Sequence, residues 1–278
     1  MNNPLMQYFR HAKVWVKLPT KGQYNAAGDL DLTDTYEVAV RPLSSLDNIM
    51  LKTPDALMNG EALYNVIQSC VPAIKNVKNL SQPDLTAVTI GIRIASHGPN
   101  QEISCVCPSC KHENDVSFNL NHYLDTQTEV EHPKSIEIDN ELIVYVRPFN
   151  MEQRNLELLQ EFEQNKAVRL INSNDDLNES EKFEEFSKHI NEAAINQFET
   201  VAKSVLKIVI KETNQEVTDI NYIREFIMGI TSNQSNTIMT AIRELNESGV
   251  KNDLEIKCEK CEHKWSQKLD FDPTSFFD

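Results

Sequence analysis

The sequence predicts an α+β fold that is mostly helical. The predicted fold consists of two related halves, and each half contains a strand, then helices, then a hairpin whose cysteine-bearing tip we call a knuckle. One four-cysteine site joins the two halves. Three observations support this prediction. Most periodic stretches repeat at helical spacing, and only a few short stretches alternate as strands do. A strand that ends in Arg-Pro occurs twice, and each half ends in a Cys-x-x-Cys pair between short alternating stretches.

The strand that ends in Arg-Pro introduces each half. Residues 37–43 read Glu-Val-Ala-Val-Arg-Pro-Leu, and residues 143–149 read Ile-Val-Tyr-Val-Arg-Pro-Phe. Proline pushes the residue before it into an extended conformation, so each strand ends at its arginine. The tetrapeptides that follow, Ser44–Asp47 and Asn150–Gln153, resemble capping boxes that begin a helix. We therefore predict two halves, residues 1–120 and residues 121–278.

Helical periodicity covers much of the remaining chain. An apolar face repeats at residues 63, 66, 67 and 70, and residues 84–97 are apolar around most of the circumference, which predicts a buried central helix. In the second half, residues 151–172 and about 180–211 predict two long helices, followed by shorter ones at 219–228 and 234–247. The stripe that extends the second long helix to residue 211 consists of Ala194, Phe198, Val201, Ala202, Val205 and Val209. Strands are expected only at about 13–18, at 35–41, in a hairpin near 136–147 and around the cysteine pairs.

Four of the six cysteines form two matched pairs, Cys107 with Cys110 and Cys258 with Cys261. Each pair lies between short alternating stretches, which predicts a β-hairpin with two thiols at its tip. Two such hairpins complete a tetrahedral thiolate site of the kind that holds structural zinc. The four cysteines are therefore the candidate metal ligands, at a pseudo-two-fold site between the halves that resembles a zinc ribbon.

The sequence Cys-Pro-Ser-Cys at residues 107–110 also resembles a thiol–disulfide motif. Such motifs begin a helix, whose N-terminus lowers the thiol pKa, whereas here the polar residues 111–115 lead into a predicted strand. Zinc binding is the favoured interpretation, and redox chemistry is the alternative. Cys105 is expected to be a small buried side chain. His112 and His263 are expected in exposed turns, and the alternative is that they replace a ligand or donate to a thiolate sulfur.

The charge balance limits the function classes. With 42 acidic and 27 basic residues, the chain carries a net charge of −15 at pH 7. Such a surface repels nucleic-acid phosphates and anionic membranes, so neither is an expected partner. No apolar stretch of about 18 residues predicts a membrane span. The sequence contains no nucleophile elbow and no phosphate-binding glycine loop, so we assign no catalytic residue and do not expect an enzyme.

The C-terminus is rich in phenylalanine. Phe271, Phe276 and Phe277 lie within the last eight residues, interrupted by a proline. Leaving such side chains in water is costly, by about 1.5–3 kcal/mol each. They are expected either to pack on the chain's own core or to dock into a partner, and the sequence leaves both alternatives open.

Several segments resemble a known family. They are Lys17–Tyr24 (KLPTKGQY), Val38–Leu43 (VAVRPL), Lys52–Gly60 (KTPDALMNG), Ser69–Pro72 (SCVP) and Ile92–Ala95 (IRIA). Together they look like the baseplate hub or hub-assembly proteins of T-even-like contractile-tailed bacteriophages. The resemblance covers residues 14–120 and continues through the second Arg-Pro strand, the second cysteine pair and the Phe-Phe tail. The segment 52–60 is its most specific part.

The resemblance implies a non-catalytic structural protein of the virion, made in the host cytoplasm and incorporated into the tail baseplate. Its partners would be other hub, spike, wedge or tape-measure proteins within a symmetric hetero-oligomer. An assembly chaperone that does not remain in the virion is the alternative. A zinc-ribbon protein that binds nucleic acid is a third possibility, which the acidic composition disfavours.

Overall fold

A computed structural model describes residue 5 and residues 8–52, 60–173 and 178–271, without the side chains of residues 179 and 189–194. Within these ranges the chain mixes helices and strands, and helices hold more residues. The chain divides into two compact units, Met1–Val130 with Glu247–Asp278, and Glu131–Asn246. This division follows contacts, whereas the predicted halves 1–120 and 121–278 follow the sequence repeat and stay a prediction.

The elements are numbered in chain order. The α-helices of the described ranges are α1 (Ser45–Leu51), α2 (Glu61–Cys70), α3 (Gln82–His97), α4 (Leu120–Asp125), α5 (Met151–Ser173), α6 (Glu179–Lys203), α7 (Ile220–Gly229) and α8 (Ser232–Asn246). The strands there are β1 (Val14–Lys17), β2 (Glu37–Val40), β3 (Asn100–Val106), β4 (Glu113–Asn119), β5 (Lys134–Ile138), β6 (Leu142–Val146), β7 (Val205–Ile210), β8 (Gln215–Val217), β9 (Asp253–Lys257) and β10 (Lys264–Lys268). Most predicted elements are thus confirmed to within a few residues.

Helix α3 forms the centre of the first unit, as its apolar circumference predicts. Its side chains at Val88, Ile90 and Ile92 are fully buried, and it packs on the antiparallel pair β1 and β2. The approach is close at Gly91, where a Cβ atom would overlap the side chain of Val16. Glycine at this position therefore lets the helix contact the strand directly.

Asp84, in the first turn of α3, is fully buried. Its Oδ1 accepts the backbone N–H of Thr20 at 2.9 Å, and its Oδ2 accepts the hydroxyls of Thr20 and, at 2.8 Å, Ser81. Burial raises the pKa of Asp84 above its ordinary value, and the three hydrogen bonds offset only part of this effect. The carboxyl group anchors the loop after β1 to the start of the central helix.

Both predicted capping boxes form. The N–H of Asp47 donates to Ser44 Oγ at 3.1 Å, and Asp47 Oδ2 accepts the N–H of Ser44 at 2.7 Å. In the second unit, the N–H of Gln153 donates to Asn150 Oδ1 at 2.9 Å, and the N–H of Asn150 donates to Gln153 Oε1 at 3.0 Å. Reciprocal bonds of this kind satisfy free amide groups at a helix start.

The second unit contains an antiparallel sheet in the order β5-β6-β7-β8. The predicted helix over residues 180–211 is wrong in its last turns, because α6 ends at Lys203 and residues 205–210 form β7. Val205 and Val209 therefore belong to a strand that pairs with β6. The run Val-Leu-Lys-Ile-Val-Ile is rich in β-branched residues, which favour a pleated, half-buried strand.

Several large apolar side chains of α5 and α6 are exposed. The exposed fraction is 49% for Phe162, 59% for Leu170 and 74% for Phe183.

No helix in the described part is both long and apolar enough to cross a lipid bilayer. Of the features named from sequence, most of the segment 52–60, Phe276, Phe277 and the side chain of Ala194 lie outside the described residues.

We expect Asp84→Ala to lower the free energy of unfolding by about 1–3 kcal/mol, because the Thr20 amide and two hydroxyls lose a buried acceptor. Asp84→Asn is the matched control, since its oxygen can accept from the Thr20 N–H while its NH₂ group donates to the hydroxyl oxygens. Urea unfolding measures both variants. Equal stability of Asp84→Ala and wild type would show that the contact is not stabilising.

The raised pKa of Asp84 also predicts a pH dependence. The folded chain favours the protonated carboxyl, so this group's contribution is greatest below the ordinary pKa of aspartate and is lost as the pH rises through the raised value. The wild type should therefore lose stability relative to Asp84→Asn as the pH rises from acid to neutral. An opposite trend in urea unfolding across this range would contradict the buried-carboxyl explanation.

Candidate metal centre

The four paired cysteines come together at one point of the first unit. The Sγ atoms of Cys107, Cys110, Cys258 and Cys261 all lie within 4.8 Å of one another. The sulfurs of Cys107 and Cys261 are 3.7 Å apart, and those of Cys110 and Cys258 are 3.6 Å apart. Disulfide bonds are far shorter, at about 2.05 Å, and all four cysteines are free.

Two antiparallel hairpins, β3 with β4 and β9 with β10, carry the cysteines at their tips. Their registers correspond, because Val106 pairs with Glu113 in the first hairpin and Lys257 pairs with Lys264 in the second. In each tip, the N–H of the first cysteine donates to a histidine carbonyl: Cys107 to His112 at 2.8 Å, and Cys258 to His263 at 2.9 Å. We call these two tips the knuckles, residues 107–112 and 258–263.

The two knuckles contribute to the cluster in the same way. Each close sulfur contact joins the first cysteine of one knuckle to the second cysteine of the other. The first cysteines, Cys107 and Cys258, are buried, whereas Cys110 is partly exposed and Cys261 is exposed. The cluster therefore has an inner pair of sulfurs and an outer pair, one of each from each knuckle.

Both knuckles contain a left-handed residue directly after the second cysteine. Lys111 and Glu262 each have φ of 59°, and their N–H groups donate to the carbonyls of Cys107 and Cys258, both at 3.0 Å. This conformation costs a non-glycine residue about 1–2 kcal/mol. The turn that brings two thiols to one side thus requires strained backbone at an equivalent position in each knuckle.

The electrostatics of the cluster is uneven. Burial favours the neutral thiol of Cys258, but the backbone N–H groups of Cys261 and Lys260 donate to its sulfur and lower its pKa to about 6. The N–H of His263 lowers the pKa of Cys261, yet the hydrogen bonds with the neighbouring sulfurs raise it to about 12. One thiolate is therefore favoured, while a second negative charge beside it is opposed unless a cation compensates for it.

Two of the sulfur separations fit a tetrahedral metal site, and all four sulfurs lie within 4.8 Å of one another. Zinc–thiolate bonds of about 2.3 Å place the sulfurs of a tetrahedral site about 3.8 Å apart, close to the two short sulfur separations observed. Each knuckle leads into a strand and not into a helix, so the cysteines lack the helix N-terminus of thiol–disulfide motifs. The arrangement can hold a metal with four protein ligands, which leaves no open coordination position.

Sequence reasoning missed a direct hydrogen bond between the first hairpin and the second knuckle. Asn114 of β4 is buried, with 1% of its surface exposed. Its Oδ1 accepts the N–H of Glu259 at 2.9 Å, and its Nδ2 donates to the carbonyl of His112 at 3.0 Å. The only signal in the sequence was a polar residue whose side chain faces the inner side of a strand.

The other residues named from sequence occupy defined places. Cys105 is buried with 5% exposure, as predicted, and its sulfur donates to the carbonyl of Asn114 at 3.6 Å. The imidazole of His263 is stacked on Trp265. Phe271 is buried with its ring centroid 5.5 Å from that of Tyr123, so it packs on its own chain. Partner docking by Phe276 and Phe277 stays a prediction.

The fold and the cluster define a mixed α/β protein with a four-cysteine cluster that can hold a metal ion. A scan of family models then gives its family: residues 43–278 match the model for the T4 bacteriophage base plate protein. The chain belongs to this family, which supports a structural role in a phage tail baseplate. Comparison with the curated proteins and with the solved structures gives no significant match.

The strained knuckle residues generate a prediction. We expect Lys111→Gly to raise the free energy of unfolding by about 0.5–1 kcal/mol, because relief of the left-handed strain exceeds the entropy that glycine adds to the unfolded chain. Lys264→Gly in β10 is the matched control and should destabilise by a similar amount. Thermal or urea unfolding measures both, and loss of stability in Lys111→Gly would refute the strain assignment.

Proposed function

We propose that the chain is a structural component of the baseplate hub and that a zinc ion bound by the four cysteines holds it in a rigid form. The family match over residues 43–278 is the observation that carries the baseplate role. The hub assignment rests on the resemblance of the segments between residues 14 and 120 to hub proteins. A non-enzymatic role agrees with a metal site closed by four protein ligands.

The proposed ligands are Cys107, Cys110, Cys258 and Cys261, and the supporting observation is their mutual approach within 4.8 Å. Zinc is proposed because four thiolates favour Zn or an iron–sulfur centre over hard cations such as Mg or Ca. When bound, the ion would supply no reaction, only four bonds and charge compensation. The residues of the knuckles orient the sulfurs toward one centre.

The proposed partners are other hub, spike, wedge or tape-measure proteins, within a symmetric hetero-oligomer. Exposed apolar side chains on α5 and α6, such as Phe162, Leu170 and Phe183, support a protein-binding role. The net charge of −15 argues against nucleic acid as the partner.

We also propose that residues 1–120 and 121–278 descend from one strand–helices–knuckle unit. Beyond the matched knuckles, the two Arg-Pro strands support this relation. The N–H of Arg41 donates to the carbonyl of Cys70, at the end of α2, at 2.8 Å. The N–H of Arg147 donates likewise to the carbonyl of Ser204, just after α6, at 2.9 Å.

The zinc proposal is tested by metal analysis. We expect one zinc ion per chain in the purified protein, and loss of the metal with a lowered melting temperature in Cys258→Ser or after treatment with a strong chelator. Cys70→Ala is the control, because Cys70 is a buried cysteine outside the cluster. A wild-type chain without metal whose paired cysteines are oxidised would contradict the proposal.

The baseplate role is tested in purified virions. Quantitative mass spectrometry should detect the chain in a fixed ratio to the other baseplate proteins, because a structural component stays in the particle. A chain that is required for tail assembly yet absent from mature virions would be an assembly chaperone, and the structural proposal would then be rejected.

A further inference from the structure

We infer that Asn114 is a positioning residue that docks the second knuckle on the first and so pre-forms the metal site. This inference rests on the proposed metal function. It follows from the hydrogen bond between Asn114 Oδ1 and the N–H of Glu259, which joins the first hairpin to the second knuckle through protein atoms alone. Glu259 directly follows the buried ligand Cys258, so the bond fixes the backbone next to an inner sulfur.

The side chain of Asn114 is held firmly enough to act in this way. It is 1% exposed, and its Nδ2 donates to the carbonyl of His112. The same carbonyl accepts the N–H of Cys107. One side chain thus connects the turn of the first knuckle to the loop of the second, and both of its polar ends have partners. A buried amide with a partner at both its oxygen and its nitrogen is held in one orientation.

The hydrogen bond between Asn114 and Glu259 has no equivalent between the corresponding residues of the two hairpins. Under the correspondence of Cys107 with Cys258, Glu259 matches Pro108, and Asn114 matches Trp265. Proline has no N–H to donate, and the indole side chain has no acceptor. The second, symmetry-related bond therefore cannot form. The two cysteine pairs are equivalent as ligands, yet a single asparagine in only one hairpin aligns them.

The first knuckle has proline at the position equivalent to Glu259, so the Glu259→Pro substitution can test the hydrogen bond. Glu259→Pro removes the donor N–H together with the carboxylate and fixes φ at this position, and it places proline where the equivalent turn of the first knuckle already has Pro108. Glu259→Ala keeps the N–H and removes the carboxylate, so it is the matched control. Asn114→Ala removes the acceptor. Ser117→Ala, at an exposed site on the same strand, controls for a change in β4.

The measurement is the affinity of the purified chain for Co²⁺, followed by the thiolate-to-cobalt charge-transfer absorption, and for Zn²⁺ by competition. We expect Asn114→Ala and Glu259→Pro each to weaken binding about 10-fold, in the range typical of residues that orient metal ligands. The double variant should be no weaker than either single variant, because both changes remove one bond. Glu259→Ala and Ser117→Ala should bind as the wild type does.

Hydrogen exchange of the Glu259 amide in the metal-free chain gives a second readout that needs no metal. Protection of this amide in the wild type and its loss in Asn114→Ala are expected. Additive effects of the two variants on cobalt affinity, or an amide that exchanges equally fast in both chains, would overturn the role of Asn114. A wild-type chain that binds neither metal while its Glu259 amide stays protected would instead refute the metal proposal alone.

Discussion

The meeting of two β-hairpins that are remote in sequence is the constraint on which the first unit depends. Between Cys110 and Cys258 lie 147 residues, and closing a loop of that length has an entropic cost that grows only slowly with length. Hydrogen bonds outside the cysteine cluster already bring the two ends of this loop together. The N–H of Thr128 donates to the carbonyl of Gly249 at 2.8 Å, and that of Val130 to the carbonyl of Pro19 at 3.0 Å. The exit from the first unit and the return to it are therefore adjacent, and only a short segment separates Gly249 from Cys258.

The sequence predicted correctly those elements that depend on interactions between residues close together in the chain. The capping boxes at Ser44 and Asn150, the buried helix α3 and the two cysteine hairpins all follow from residues within one turn or one hairpin. The end of α6 did not, because an apolar stripe at helical spacing and a β-branched run overlap at residues 201–210. The choice between helix and strand there is decided by pairing with β6, about 60 residues earlier in the chain, and a periodicity over 10 residues contains no such information.

The candidate site shows the same division. Residue type and spacing were enough to name the four sulfurs, since two Cys-x-x-Cys hairpins have few arrangements other than a shared centre. The contribution of Asn114 was beyond reach, because its partner is a backbone N–H of a loop 145 residues later. The same holds for the left-handed backbone at Lys111 and Glu262, where glycine would have been the expected residue. A strained conformation of an ordinary residue persists only where surrounding contacts fix it.

These contacts also bear on why the cluster is better suited to a structural than to a redox role. A redox pair must bring the two sulfurs of one motif to bonding distance, and it gains from a helix N-terminus that lowers the thiol pKa. Here the two closest sulfur contacts join different knuckles. Each knuckle is closed by a hydrogen bond from the N–H of its first cysteine to the carbonyl of His112 or His263. In a protein of a baseplate family, these contacts favour a structural role for the cluster over a redox role.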